Sequence, residues 1–425
     1  MNLRRYLQIL ATRQVLRQFG ASLLGRLPGG MVGFAIVLLV RDTSGSYATA
    51  GLVAASFTVA LGLGAPVQGR LVDRFGQSRV LLAGAVASGG GLLTLGLVAH
   101  RLGSGGMAAL AGFAGATMPP LPACMRALWP ALLGGDQQVQ AAYALESTMQ
   151  ELVFITGPLV VVGLVALGSP ALAVAGAGAL CLLGTVWFAT APRSRAVRGG
   201  ARHLGWAGPL RSAGLRWLLL AAVLLACSFG VVEVTIPAFA EHAGNRAAAG
   251  PILSLWSLGS MLGGLAVGGR SWRGGAPRGL ATLLGLVAVA FALLAVARSG
   301  PQLGAVIPLA GAPIAPALAC AYLLVGRLAP DGTVTEAFTW VSSCFMGGIA
   351  AGNAAGGAIA QHAGVHLGFL VAAGLAAAAA LTSAWQRGRL ERHLDADPAA
   401  RSPAGLDRAA PAGVAAEPAS ARPTR

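Results

Sequence analysis

Three ionisable side chains, Arg26, Glu151 and Glu233, stand inside long apolar stretches. A charge at bilayer depth costs several kcal/mol unless it is paired or wet, so each is a candidate for function. Glu151 lies ten residues into the apolar run 141–166, about 15 Å deep, and Arg26 lies eight residues into the run 18–40, about 12 Å deep. The matched depths predict an Arg26–Glu151 ion pair. Such a pair either holds the first and fifth runs together or separates when a substrate or proton arrives. A carboxyl group left without its arginine in a low-dielectric setting favours the protonated form. Glu233, between Gly230 and Pro237, lies roughly 24 Å into the run 216–239, with no basic residue in that run. It reads as a protonatable or cation-binding carboxylate, or as one capped by hydroxyls near water. Arg126 and Glu146 fall near the boundary from which these depths are counted, and there a gate salt bridge with the 69–79 loop is expected.

Other chemistries find no support. His100, His242, His362 and His366 sit near run ends, which argues against a histidine proton relay. The five cysteines (Cys124, Cys181, Cys227, Cys320 and Cys344) lie in apolar runs without paired spacing and read as packing residues, not as metal ligands or disulfides. Every basic residue other than histidine is arginine, and a phosphate-binding loop of the Gly-x4-Gly-Lys type needs a lysine. A membrane-embedded enzyme would need a polar catalytic cluster near one interface, and a receptor a sizeable extramembrane domain; neither is evident. No enzyme activity, metal or cofactor is expected.

The elements that position these residues follow from composition. The chain is 56% hydrophobic and 10% charged over 425 residues, outside the usual range for a soluble domain. A bilayer core of roughly 30 Å needs about 20 apolar residues per helix. Twelve such runs are predicted, at 18–40, 47–68, 79–99, 105–126, 141–166, 170–190, 216–239, 249–269, 279–297, 302–326, 335–361 and 365–386. They predict an all-α membrane protein with a six-helix bundle in 1–190, a linker at 191–215, a second bundle in 216–386 and a disordered tail at 387–425. The first run lacks a cleavage site and is expected to stay as an anchor.

The net charge of +16 is distributed by loop. Arginines cluster before the first run, between the second and third, in the linker, after the eighth and in the tail; the opposite loops hold Arg41, Arg101, Arg246 and Arg298. The positive-inside rule puts both termini and the linker in the cytoplasm, and this alternation argues against a nucleic-acid footprint.

A repeat offset by 195 or 196 residues relates the halves: Pro120 to Cys124 matches Pro316 to Cys320, Ala142-Tyr143 matches Ala337-Phe338, and Gly157 matches Gly352. Parallel six-helix repeats are one way to build alternating access. Gly259, Gly263 and Gly264, and Gly348, Gly352 and Gly356, mark helix faces where backbones approach closely, as bundle packing or as contacts between halves.

Between the second and third runs the chain reads Gly69-Arg-Leu-Val-Asp73-Arg74-Phe-Gly76-Gln-Ser-Arg79. Gly69 is suited to end a helix, Gly76 to reverse the chain, Asp73 to face a helix N-terminus, and Arg74 and Arg79 to reach lipid phosphates. The loop resembles the signature of the major facilitator superfamily, with Val72 and the Gln77-Ser78 pair as departures. The resemblance covers about 15–386 and implies a twelve-helix transporter whose central cavity opens alternately to either side. It also implies that Asp73 locks a cytoplasmic gate against the start of the eleventh run, near Thr335-Glu336. The loop from Gly264 to Arg273 is similar to a degenerate copy without the aspartate. Gly157-Pro158 resembles the core of an antiporter motif, and the stretches 142–146 and 335–340 resemble bacterial exporters.

Phe34, Phe57, Phe154, Phe229, Trp256, Phe338, Trp340 and Phe345 are spread over the expected cavity runs, where few polar groups favour an amphiphilic cargo. The expectation is a monomeric, proton-coupled exporter in a bacterial inner membrane, with a small molecule, protons and lipids as its partners. An importer, a sugar-type permease or a uniporter of the same fold is the alternative.

Overall fold

The computed structural model describes residues 9, 11–133, 135–197, 199, 208–245, 248–267, 272 and 275–396. Fourteen long helices account for most of them. In the first half these are α1 (Arg13–Ser44), α2 (Tyr47–Phe75), α3 (Gln77–Val98), α4 (Ser104–Ala116), α5 (Leu121–Leu132), α6 (Asp136–Leu167) and α7 (Pro170–Ala189). The second half has α8 (Ala213–His242), α9 (Ala249–Val267), α10 (Gly275–Leu294), α11 (Gly300–Gly311), α12 (Ile314–Leu328), α13 (Val334–His362) and α14 (Val365–Ala396).

These helices make twelve crossings, because two of the expected runs are broken. The fourth divides into α4 and α5 around Pro119-Pro120, and the tenth into α11 and α12 at Ala312-Pro313. Proline lacks the N–H that a continuing helix would use and clashes with the preceding turn, so an otherwise apolar run is interrupted there. The two breaks occupy matching places in the repeat. Ten crossings, α11–α12 among them, are long and apolar enough to span a membrane; α4–α5 and the more polar α13 complete the set.

Local chemistry sets the ends. Ser46, Ser169 and Ser212 accept from the amides of Thr49, Leu172 and Leu215, each satisfying an orphan N–H of a helix start. Gly76, at φ +91°, turns the chain sharply between α2 and α3, a conformation that side chains with a Cβ disfavour. Gly69, by contrast, does not end α2, which continues to Phe75. The last helix also runs to Ala396, past the expected start of the tail; residues 397–425 lie outside the described ones, as does most of the stretch from Val267 to Gly275.

The halves share one packing scheme. In the first, α1 and α3 pack on α7, α2 on α4, and α1 on α6; in the second, α8 and α10 pack on α14, α9 on α11, and α8 on α13. Glycine makes several of these contacts possible. A Cβ on Gly25 would lie 3.2 Å from the backbone of Gly184, and one on Gly352 2.8 Å from that of Cys227. Gly259 sits against Pro308 of α11, Gly263 against Ala312 just past its end, and Gly348, Gly352 and Gly356 against α8, so these five serve packing within the second half. Gly264 alone of the six faces the other half, towards Thr148 and Ala144 of α6.

Candidate functional site

The first half buries an ionic cluster near its centre. Arg26 comes from α1, Arg126 and Trp129 from α5, and Glu146 from α6. Arg26 Nη2 donates to Glu146 Oε1 at 2.7 Å, and Trp129 Nε1 donates to Oε2 at 2.8 Å. Arg126 Nε lies 3.0 Å from Oε1 as an ion-pair contact without a hydrogen-bond angle. Glu146 is fully buried, and both arginines are 5% exposed. Two guanidinium groups thus share one carboxylate. Arg26 Nε and Nη1 are buried and have no acceptor.

This corrects two expectations: Arg26 pairs with Glu146 rather than Glu151, and Arg126 and Glu146 bind one another rather than the 69–79 loop. Residues 146 and 151 differ by about 140° around a helix at 100° per residue, so only one of them can face α1. Glu151 instead turns to the other half, where Ser257 of α9 lies beside its carboxyl group. Trp129 is a member of the cluster that sequence reasoning missed. Its spacing from Arg126 is one helical turn, a usable signal once α5 is known to start afresh at Leu121.

Arg126 also reaches across the halves, 3.9 Å from the centroid of the Tyr322 ring on α12. Tyr322 is its counterpart in the repeat, 196 residues on. Tyr143 and its counterpart Phe338 also meet, at 6.1 Å between centroids, and both rings contact Tyr322. Residues related by the repeat touch where the axis relating the halves passes, so these four side chains surround it. The first half places a cation there, and the second an aromatic face that attracts it.

The halves are also joined at the end of the bundle where α1 begins and the arginines cluster. Asp73 Oδ1 accepts from the amide of Thr335 at 3.2 Å, and Oδ2 from that of Glu336 at 2.8 Å. These are first-turn amides of α13 that lack partners within their own helix, and they carry the positive end of its dipole. Arg70 donates from Nη2 and Nε to the two oxygens of Glu336, at 2.9 and 3.2 Å. Gly69 lets α2 meet α13 closely: a Cβ there would lie 2.8 Å from Glu336 Cα. Gly208, in the linker with φ +45°, sits on this pair; a Cβ would meet Glu336 Oε1 at 2.8 Å. Farther in, Ser343 Oγ donates to the Gly62 carbonyl at 2.6 Å. Arg327 of α12 pairs with Asp136 at the start of α6. Arg74 stacks on Phe75, and it and Arg79 are exposed.

Beyond the ionic cluster, away from the arginine-rich end, the interior opens. Gly29 and Gly33 on α1 are exposed, with nothing within 4 Å of where a Cβ would stand. They share a side of the helix with buried Ser22, Arg26, Ile36 and Val40, and lie across it from Leu27, Phe34 and Leu38. The opening therefore begins about one turn beyond Arg26. On α8, Glu233 is exposed one turn beyond Phe229, which packs on Trp256, Phe291 and Phe345. Among the described residues no cation pairs with Glu151 or Glu233, and no group of three or more His, Cys, Asp or Glu could hold a metal.

The family model described as Major Facilitator Superfamily matches residues 19–309 and 218–420. Among solved structures, a bacterial homologue of the iron transporter ferroportin in an outward-facing state is 16% identical with a TM-score of 0.71, covering 89% of this chain and 100% of its own. The human organic anion transporter MFSD10 (TETRAN) is 19% identical with a TM-score of 0.66, covering 90% of this chain and 100% of its own. The fucose:proton symporter FucP of E. coli is 14% identical with a TM-score of 0.66, covering 86% of this chain and 98% of its own. At these identities the likeness is one of fold. No curated protein matches the chain.

Proposed function

Because the chain belongs to the Major Facilitator Superfamily, a family of transporters, we propose that it is a proton-coupled exporter of a small amphiphilic molecule, working by alternating access in a bacterial inner membrane. The observation that carries the coupling is the pair of membrane-depth carboxylates, Glu151 and Glu233, that have no cation partner among the described residues. Glu151 stands on α6 against α9 of the other half, along a seam that must part when the arginine-rich end opens, so proton uptake there is placed to bias the opening. Glu233 faces the open cavity from the second half, within reach of protons from the far side. With the arginine-rich end assigned to the cytoplasm by the positive-inside rule, the described conformation is closed inward and open outward. Asp73, Arg70 and Glu336 form the latch of that state. The aromatic cluster of Phe229, Trp256 and Phe345, one turn from Glu233, suits the apolar part of a cargo.

Proton flux in inverted vesicles tests this, with a pH-sensitive dye and wild type compared with Glu151→Gln and Glu233→Gln. Cargo-dependent proton movement that disappears in either variant supports antiport and identifies the carrier group. Cargo that equilibrates with no proton movement would make the protein a uniporter.

A further inference from the structure

The ionic cluster carries an imbalance that the proton-coupling reading does not use. Arg26 and Arg126 contribute two positive charges, Glu146 one negative, and all three are removed from water. Burial of an uncompensated charge is costly, so a buried set with one charge in excess is completed by an ion of the opposite sign. The vacant hydrogen-bonding capacity has the same sign, since Arg26 Nε and Nη1 are donors without acceptors. Nε–H and Nη1–H leave the guanidinium on different sides, so each offers one charge-assisted hydrogen bond to an oxygen of a carboxylate or phosphate. Gly29 and Gly33, about one and two turns beyond Arg26 on the same side of α1, are exposed and have nothing within 4 Å of where a Cβ would stand. We infer that the cargo bears an anionic head, which enters from the open space beside Gly29 and Gly33, accepts from the unpartnered donors of Arg26 as that buried side chain shifts to meet it, and brings the cluster to neutrality, with Glu146 retained as the partner of Nη2. The apolar body of the cargo then extends towards the aromatic residues of the second half.

The inference takes the transporter reading as given, and its test reads binding alone. Purified protein in a neutral detergent is melted in the presence of 2-naphthoate, 2-naphthamide or 2-naphthylmethylammonium, which share one apolar body and differ in charge. The carboxylate is expected to raise Tm by several degrees, and the amide and ammonium compounds to have little effect. Gly29→Glu places a tethered carboxylate one turn from Arg26, in space that accommodates it. This variant is expected to fold, to melt no lower than wild type and to lose the response to naphthoate. Arg26→Gln is expected to lose it as well, and because that change itself disturbs the core, Gly29→Glu carries the decision. Equal responses to all three compounds, no response to any, or a naphthoate response that survives Gly29→Glu would overturn the inference. Naphthoate binding without cargo-linked proton flux would leave it standing while removing the proton-coupling reading.

Discussion

Glu146 is the residue on which the first half depends most, because it alone offsets two buried guanidinium groups. Replacing it by Gln is predicted to cost roughly 3–5 kcal/mol, as when one partner of a buried pair is removed. A thermal melt in detergent would show this as a large fall in Tm, and an unchanged Tm would mean that water or lipid reaches the cluster. Glu151→Gln is expected to leave Tm near wild type, since among the described residues no cation pairs with that carboxylate. The contrast shows where reading the chain succeeded and where it did not. Counting residues from helix starts placed Arg26 and Glu151 at similar depths, and rise per residue is legible in a sequence. Rotation is not: whether position 146 or 151 faces α1 depends on how α6 is turned against its neighbours, which apolar residues on nearly every side do not reveal.

For the helices, legibility was high. Among the described residues the twelve crossings start within five residues of their expected limits, because about 20 apolar residues per bilayer crossing is a strong constraint. The two breaks were missed since hydropathy continues through them, although Pro119-Pro120 and Pro313 marked the places. Close packing of glycine was read correctly in kind, but five of the six singled-out glycines serve contacts within a half, and spacing does not name the partner helix. Their roles predict opposite outcomes for one substitution. Gly352→Ala forces a methyl group against the backbone of Cys227 and should destabilise the α8–α13 pair by about 1–3 kcal/mol. Gly33→Ala enters open space and should change stability by no more than about 0.5 kcal/mol. Melts of the two variants side by side would check both, and equal losses would mean that the space beside Gly33 is filled.

For the molecule as a whole, the proposed alternating access makes the contacts at the arginine-rich end the hold on one of two arrangements. Asp73→Asn keeps the shape of the side chain but loses its charge and one acceptor, and is predicted to weaken the latch by about 1–2 kcal/mol. That shifts the balance between arrangements roughly 5- to 30-fold. A cysteine placed at Thr339, which is 1% exposed, should then react faster with a permeant maleimide; an unaltered rate would remove Asp73 from the latch. In a chain freed of its native cysteines, Gly264→Cys with Thr148→Cys should form a disulfide between the halves, since a Cβ at 264 lies 2.8 Å from Thr148 Oγ1. Oxidation is expected to stop transport and a reductant to restore it, with transport assayed in vesicles. The place of Asp73 against Thr335-Glu336 was legible because a short motif fixed it, whereas the meeting of Arg126 with Tyr322 needed the three-dimensional axis. That meeting has a consequence for orientation. Two like halves would offer a guest two equivalent poses, related by the axis. Here one wall is ionic and its counterpart aromatic, so turning the guest end for end produces a different complex. Duplication supplied the scaffold, and divergence at these few positions makes passage through it a matter of orientation.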